Sequence, residues 1–206
     1  MALVVFTGGA RSGKSSAAEM LARSRQALGA PVVVAVFGHA AQGADAEFAQ
    51  RIERHQADRP AGFETLEAEG NPTLIASVPD DALLIVDCLG TLLGRLMEAA
   101  WSRVVAQDSL SVAAAEELPE GFEDAVVTDL EAVIGPLLAR AGDTIVVTNE
   151  VGDGVVPAYA TGRLFRDLLG RTNRRLVQRA DAAYLAVAGR LLDVGALPAQ
   201  ARWPED

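Results

Sequence analysis

The sequence predicts an α/β fold of three layers, a mostly parallel sheet with helices on both faces, and three observations carry that expectation. The first is Gly8-Gly9-Ala10-Arg11-Ser12-Gly13-Lys14-Ser15, which fits the phosphate-loop pattern G-x-x-x-x-G-K-[ST]. It sits between the apolar run Leu3-Val4-Val5-Phe6 and a helix-forming run from Ser16 to Leu28. The second is the character of the other strand candidates: Pro31–Phe37, Leu83–Val86 and Ile145–Val147 are apolar without interruption, as parallel strands covered on both faces are. The third is order, since strand and helix patterns alternate along the 206 residues with no internal repeat and no linker. That is the layout of a single domain, residues 1–206.

In the loop, glycines let the backbone curl so that successive N–H groups face phosphate oxygens, and the helix behind adds the positive end of its dipole. Lys14 is placed to reach the β/γ-phosphates and Ser15 to hold Mg²⁺. Seventeen of the eighteen basic residues are Arg, and Lys14 is the only lysine. An ammonium is a compact point charge on a flexible stem, which a planar guanidinium cannot replace inside a tight ring of backbone donors.

The first helix is expected from Lys14 to Leu28, turning Ala18, Leu21, Ala22 and Leu28 inward, with Gly29 and Pro31 stopping it. The strand Pro31–Phe37 comes next, and Gly38 to Gly43 is its C-terminal loop, where open α/β sheets bind ligands. Asp45 to Ala57 reads as a polar helix with a narrow stripe of Phe48, Ile52 and His55. Phe63 to Glu67 is a short strand and Asn71 to Val78 a short helix. Leu83-Leu84-Ile85-Val86-Asp87 is a buried strand delivering a carboxylate at its C-terminal end. Such an aspartate caps a turn or serves Mg²⁺, and the nearby phosphate loop favours the second role.

Thr91 to Gln107 is an amphipathic helix with Leu92, Leu93, Leu96, Met97, Ala100 and Val104 inside. The acidic stretch 108–124 reads as a solvated surface excursion, and 126–141 as a helix that Pro136 can kink. The strand Thr144–Thr148 ends in the polar, glycine-containing segment Asn149 to Pro157. The helix Thr161 to Ala180 buries Leu164, Phe165, Leu168, Leu169 and Leu176, and carries six arginines that read mostly as pairing with acidic surface, with one or two left to reach a phosphate or a subunit neighbour. Ala183 to Ala188 is the last strand, and the residues after Gly189 read as peripheral.

A formal net charge of −10 argues against a general nucleic-acid binder. Cys88 is the single cysteine, so no disulfide framework or cysteine zinc site is available and a reducing cytoplasm fits. The first residues lack a charged leader and read as a strand, and no apolar run has the eighteen residues a membrane span needs.

Several segments together resemble the bifunctional adenosylcobinamide kinase/adenosylcobinamide-phosphate guanylyltransferases of cobalamin assembly. They are the loop 8–15, Arg51-Ile52-x-x-His55-x-x-x-Arg59-Pro60, Thr65-x-Glu67, Val86-Asp87-Cys88-Leu89, Thr148-Asn149-Glu150-Val151-Gly152-x-Gly154-Val155-Val156-Pro157 and Gly162-Arg163-Leu164-Phe165-Arg166-Asp167-x-x-Gly170-Arg171-x-Asn173. The resemblance covers Leu3 to about Val194. It implies a RecA-like phosphate-loop sheet, a homo-oligomer (a trimer as the family's pattern), and a corrinoid, adenosylcobinamide, as substrate. It also implies two reactions at one nucleotide site: phosphorylation of the adenosylcobinamide hydroxyl by ATP or GTP, then transfer of GMP from GTP through a GMP–histidine intermediate.

By position, the resemblance implies His55 as the nucleophile, and Val36, Phe37, Gly38, Gln56, Glu67 and Asp87 beside the nucleotide. A neutral imidazole forms a labile phosphoramidate near pH 7, and the chain has only His39 and His55. Some members of the family carry two adjacent histidines where this chain has Arg54-His55, so either His55 serves or the transferase step is lost. Phe63 and Leu92 stand where the family favours Trp. Two other readings stay open from residues alone: a kinase without the transferase step, and a nucleotide-dependent switch without catalysis.

Overall fold

The computed structural model describes residues 1–38, 60–68, 70–105, 112 and 115–200. Seven strands form one sheet: β1 (Leu3–Gly8), β2 (Val32–Val36), β3 (Phe63–Glu67), β4 (Leu83–Asp87), β5 (Thr144–Val147), β6 (Ala182–Val187) and β7 (Arg190–Asp193). Their spatial order is β3-β2-β4-β5-β1-β6-β7. The first six run parallel, and β7 turns back antiparallel on β6. The described helices are α1 (Lys14–Gln26), α2 (Leu89–Val104), α3 (Phe122–Ala139) and α4 (Ala160–Arg179), with a short 3₁₀ turn at Pro72–Ser77.

The unbroken apolar runs are explained by two cores. Val32 and Val34 join Phe6, Leu83, Ile85, Ile145 and Val147 on the face covered by Ala18 and Ala22 of α1. Their neighbours Val33 and Ala35 point the other way, with Val5, Leu84, Val86 and Val146, into the core closed by α2, α3 and α4. Alternate side chains thus leave water on both faces, so no position in the strand can be polar without a buried partner. The expected three-layer, RecA-like arrangement is met, with β5 standing between the loop-bearing β1 and the aspartate-bearing β4.

Several local expectations shift. Helix α1 ends at Gln26 rather than Leu28, and of its expected inward residues Ala18 and Ala22 are buried while Leu21 and Leu28 are exposed. Small alanines let the helix lie close on the sheet, and its larger apolar residues fall outside that narrow contact. Helix α2 starts at Leu89, two residues before Thr91. It buries Leu92, Leu93, Leu96, Met97 and Ala100 as expected, but leaves Val104 outside.

The acidic stretch is not wholly a wet excursion. Phe122 within it is fully buried, edge-on to Trp101 at 5.3 Å, and opens α3, whose first turn carries Glu123 and Asp124. Carboxylates there complement the positive end of the helix dipole. Pro136 lies inside α3, which continues to Ala139. Among the described residues after Gly189 all but the partly buried Val194 are exposed, yet Arg190–Asp193 forms the strand β7. The expected polar helix Asp45 to Ala57 lies outside the described residues.

Candidate active site

Because β1 to β6 are parallel, their C-terminal ends share one edge of the sheet. That edge carries Glu67 at the end of β3, Val36–Gly38 at the end of β2, Asp87 at the end of β4, Asn149-Glu150 beyond β5 and the phosphate loop at the end of β1. The loop is wound as its glycines require. Gly8 and Gly13 have φ of 150° and 98°, and Arg11 between them also takes a positive φ of 57°. A Cβ on Gly8 would strike the Ala186 carbonyl of β6 and lie 2.9 Å from Ser12 Oγ.

Lys14 opens α1 and is 8% exposed, its Nζ donating to the Gly9 carbonyl at 2.9 Å across the mouth of the loop. Ser15 Oγ donates to Asp87 Oδ1 at 3.4 Å, so the hydroxyl and the strand-end carboxylate face each other across the sheet edge. Two hard oxygen donors at this spacing suit Mg²⁺, which keeps waters and takes substrate phosphates as further ligands. Among the described residues no cluster of three or more His, Cys, Asp or Glu forms a dedicated metal cage. Ser12 is buried, its Oγ has no hydrogen-bond partner among the described residues, and its carbonyl accepts the Gly189 N–H at 2.9 Å. The tip of the β6–β7 hairpin, Ala188-Gly189, therefore braces the loop.

The remaining expected contacts differ in how open they are. Gly9, Ala10, Arg11 and Gly13 are exposed along the loop, while Gly8 and Ser12 are enclosed by β6 and the hairpin. Val36 and Gly38 are partly exposed at the end of β2. The Phe37 side chain is fully buried in the core, and its carbonyl accepts Arg95 Nε at 3.2 Å. Any contact from Phe37 to a nucleotide is left to its backbone. Glu67 is exposed on the edge strand β3. His55, Gln56, Arg54 and His39 lie outside the described residues.

Three of the six arginines of helix α4 have partners among the described residues, and only two of them pair with carboxylates. Arg175 pairs with Glu131, Arg166 with Asp167, and Arg163 caps the carbonyls of Pro157 and Ala158. Residue patterns did not single out the hairpin brace at Gly189. Its signal was the two-residue turn Ala188-Gly189, whose φ angles of 49° and 75° are those of a tight hairpin.

The loop, its buried lysine and the strand order place the chain among the P-loop nucleotide-binding proteins. The family model for cobinamide kinase / cobinamide phosphate guanyltransferase matches residues 4–194. The bifunctional adenosylcobalamin biosynthesis protein CobU of Salmonella typhimurium is 35% identical over 195 residues, covering 91% of this chain and 96% of that one. The protein of the same name from Escherichia coli K12 is 30% identical over 190 residues, with coverage of 91% and 96%. Among solved structures, a KaiC-like protein of Pyrococcus horikoshii overlays with a TM-score of 0.41 at 14% identity, over 89% of this chain and 70% of that one. The chain belongs to the cobinamide kinase / cobinamide phosphate guanyltransferase family.

Proposed function

We propose that this chain, acting as one nucleotide-binding domain, phosphorylates adenosylcobinamide and then guanylylates the product. The observation that carries the reading is the meeting of Lys14, Ser15 and Asp87 at one sheet edge in a chain of this family. In the kinase step a triphosphate, ATP or GTP, lies along the loop from Gly8 to Ser15, its oxygens taken by backbone N–H groups. Lys14 turns from the Gly9 carbonyl to the β/γ-phosphate oxygens. The corrinoid hydroxyl oxygen forms a bond to the γ-phosphorus as the bond to the β–γ bridging oxygen breaks. The nucleoside diphosphate leaves and the hydroxyl proton passes to solvent.

Ser15 and Asp87 hold Mg²⁺ in this reading. When bound, the ion neutralises charge that builds on the phosphate oxygens.

In the transferase step a ring nitrogen of His55 attacks the α-phosphorus of GTP and pyrophosphate leaves. A phosphate oxygen of adenosylcobinamide phosphate then attacks the same phosphorus and frees the imidazole, giving adenosylcobinamide-GDP. Val36–Gly38, Gln56 and Glu67 are the residues assigned to the nucleoside. The working state is a homo-oligomer, a trimer on the family's pattern, in the cytoplasm, with no nucleic-acid or membrane partner. Among the described residues no helix is long and apolar enough to cross a membrane.

The test is incubation with GTP labelled at the α-phosphate. An acid-labile protein label that disappears in His55→Ala supports the two-step scheme. Phosphorylation of adenosylcobinamide without any label reduces the reading to a kinase, consistent with Arg54 replacing a second histidine. Absence of both phosphorylation and label sinks the reading.

A further inference from the structure

Strand β5 lies between the strand that carries the phosphate loop and the strand that ends at Asp87, so the first residues beyond it sit between those two groups. The segment is tied to the loop: the Thr148 N–H donates to the Phe6 carbonyl at 2.8 Å and the Glu150 N–H to the Gly8 carbonyl at 3.1 Å. Asn149, between them, has both of its carbonyl oxygens engaged. Its backbone carbonyl takes Asn173 Nδ2 at 2.9 Å, and Asn173 is itself fixed by the Thr148 hydroxyl, which donates to its Oδ1 at 2.6 Å. Asn149 Oδ1 accepts the Cys88 thiol at 3.4 Å, with Cys88 also in contact with the Thr91 hydroxyl at 3.2 Å.

Gly90 completes the clamp, since a Cβ there would lie 2.7 Å from Asn149 Oδ1. Cys88 packs on the α1 side of the sheet, the side from which Lys14 and Ser15 come. Asn149 is only half-buried, and its Nδ2 has no partner among the described residues. A carboxamide whose acceptor is taken and whose donor is left open is a pre-oriented donor, and such groups cost little reorganisation when charge develops beside them.

We propose that Asn149 Nδ2 donates to a terminal-phosphoryl oxygen of the bound triphosphate, and so acts as a catalytic residue of the kinase step. Asn173 is then its positioning residue. The assignment rests on the nucleotide-binding reading of the site. It adds a contact to the transferred phosphoryl group that a nucleoside diphosphate cannot make.

That difference supplies the test. Binding of GDP and of the β,γ-imido analogue of GTP is measured by calorimetry on the full chain and on Asn149→Ala, Asn149→Asp and Asn173→Ala. Adenosylcobinamide phosphorylation and thermal unfolding are followed alongside. In Asn149→Ala the GDP affinity is expected to stay within about twofold of the parent, while the imido-GTP affinity falls about tenfold and kcat about a hundredfold. Asn149→Asp, of the same shape but without the donor and with added charge, is expected to fall further in kcat with GDP binding and melting temperature kept. Asn173→Ala is expected to show the same selective loss at smaller size.

A kcat within about threefold of the parent in both Asn149 variants overturns the proposal. So does an equal loss of GDP and imido-GTP affinity, which marks a role in building the loop alone. If the parent chain binds neither nucleotide, the reading of the site as a phosphate loop fails and the proposal falls with it.

Discussion

A single methyl group measures how closely the phosphate loop is enclosed. Gly8→Ala places a Cβ against the Ala186 carbonyl and at a φ of 150°. Strain of this kind costs about 1–3 kcal/mol, so a lowered melting temperature and weakened GTP binding are both expected. Lys14→Arg is expected to leave the melting temperature near the parent's and to lower kinase kcat by about a hundredfold, because a guanidinium cannot take the place of an ammonium among the loop's N–H groups.

Asp143 sets a different dependence. Burial would raise its carboxyl, but the Ala2 N–H at 2.8 Å and the Arg25 guanidinium outweigh burial and hold it below its ordinary 3.8. A depressed folded value means that its stabilisation is complete above the ordinary value and is lost as pH falls through the folded one. Denaturant titration of Asp143→Asn is expected to show a deficit at neutral pH that closes only in strong acid.

At this scale the loop was legible because its chemistry demands fixed residue types at fixed spacing. Arg140 was not. It is buried, with Nη groups donating to the carbonyls of Pro79, Ala82 and Asp143. Nothing in a lone arginine after a helix announces a role in stitching two turns together.

Among the elements, legibility tracked the amount of apolar pattern each one carries. Strands β2, β4 and β5 bury residues on both faces and stand out as unbroken runs. Strand β7 has all four residues exposed, including Leu191 and Leu192, so neither alternation nor a run marks it, and the backbone ladder with β6 is what makes it a strand. Helix α1 buries two of its four expected inward residues, Ala18 and Ala22, while Leu21 and Leu28 fall outside the narrow contact that the alanines make. Helix α2 offers a sharp test of the larger core: Leu92 is fully buried on the face that meets the sheet and α3. Leu92→Ala is expected to lower unfolding free energy by about 2–5 kcal/mol in a denaturant titration. Its lost area lies away from the loop, so KM for the nucleotide is expected to hold while folded protein remains.

For the molecule as a whole, parallel pairing explains why so much of the site could be read from the strands alone. Once six strands run the same way, every strand's C-terminal residue is delivered to one edge. Asp87 and Asn149 then meet the loop although they are far apart in sequence, while Glu67 reaches the same edge on β3, with β2, β4 and β5 between it and β1. The acidic balance of the chain is compatible with a phosphate site because the loop supplies its own local positive field from backbone N–H groups and one lysine. The tie between these distant parts is less legible: Gly189 to Ser12 is a single backbone hydrogen bond, marked in the sequence only by the short turn Ala188-Gly189.

Strand β1 is flanked by β5 and β6, so both of its neighbours are synthesised more than 130 residues after it. During translation the loop motif leaves the ribosome early with no sheet to join. It waits while the rest of the chain is made, because closing such long loops must precede the contacts that reward it. Nucleotide capture is therefore a property of the finished chain and can serve as a clock for its completion. A chain ending at residue 181 keeps every residue of the phosphate loop and Asp87 but lacks β6 and the hairpin brace. It is expected to retain no labelled GTP on a filter, whereas a chain ending at 195 is expected to retain it. The residues written first are the last to become a site.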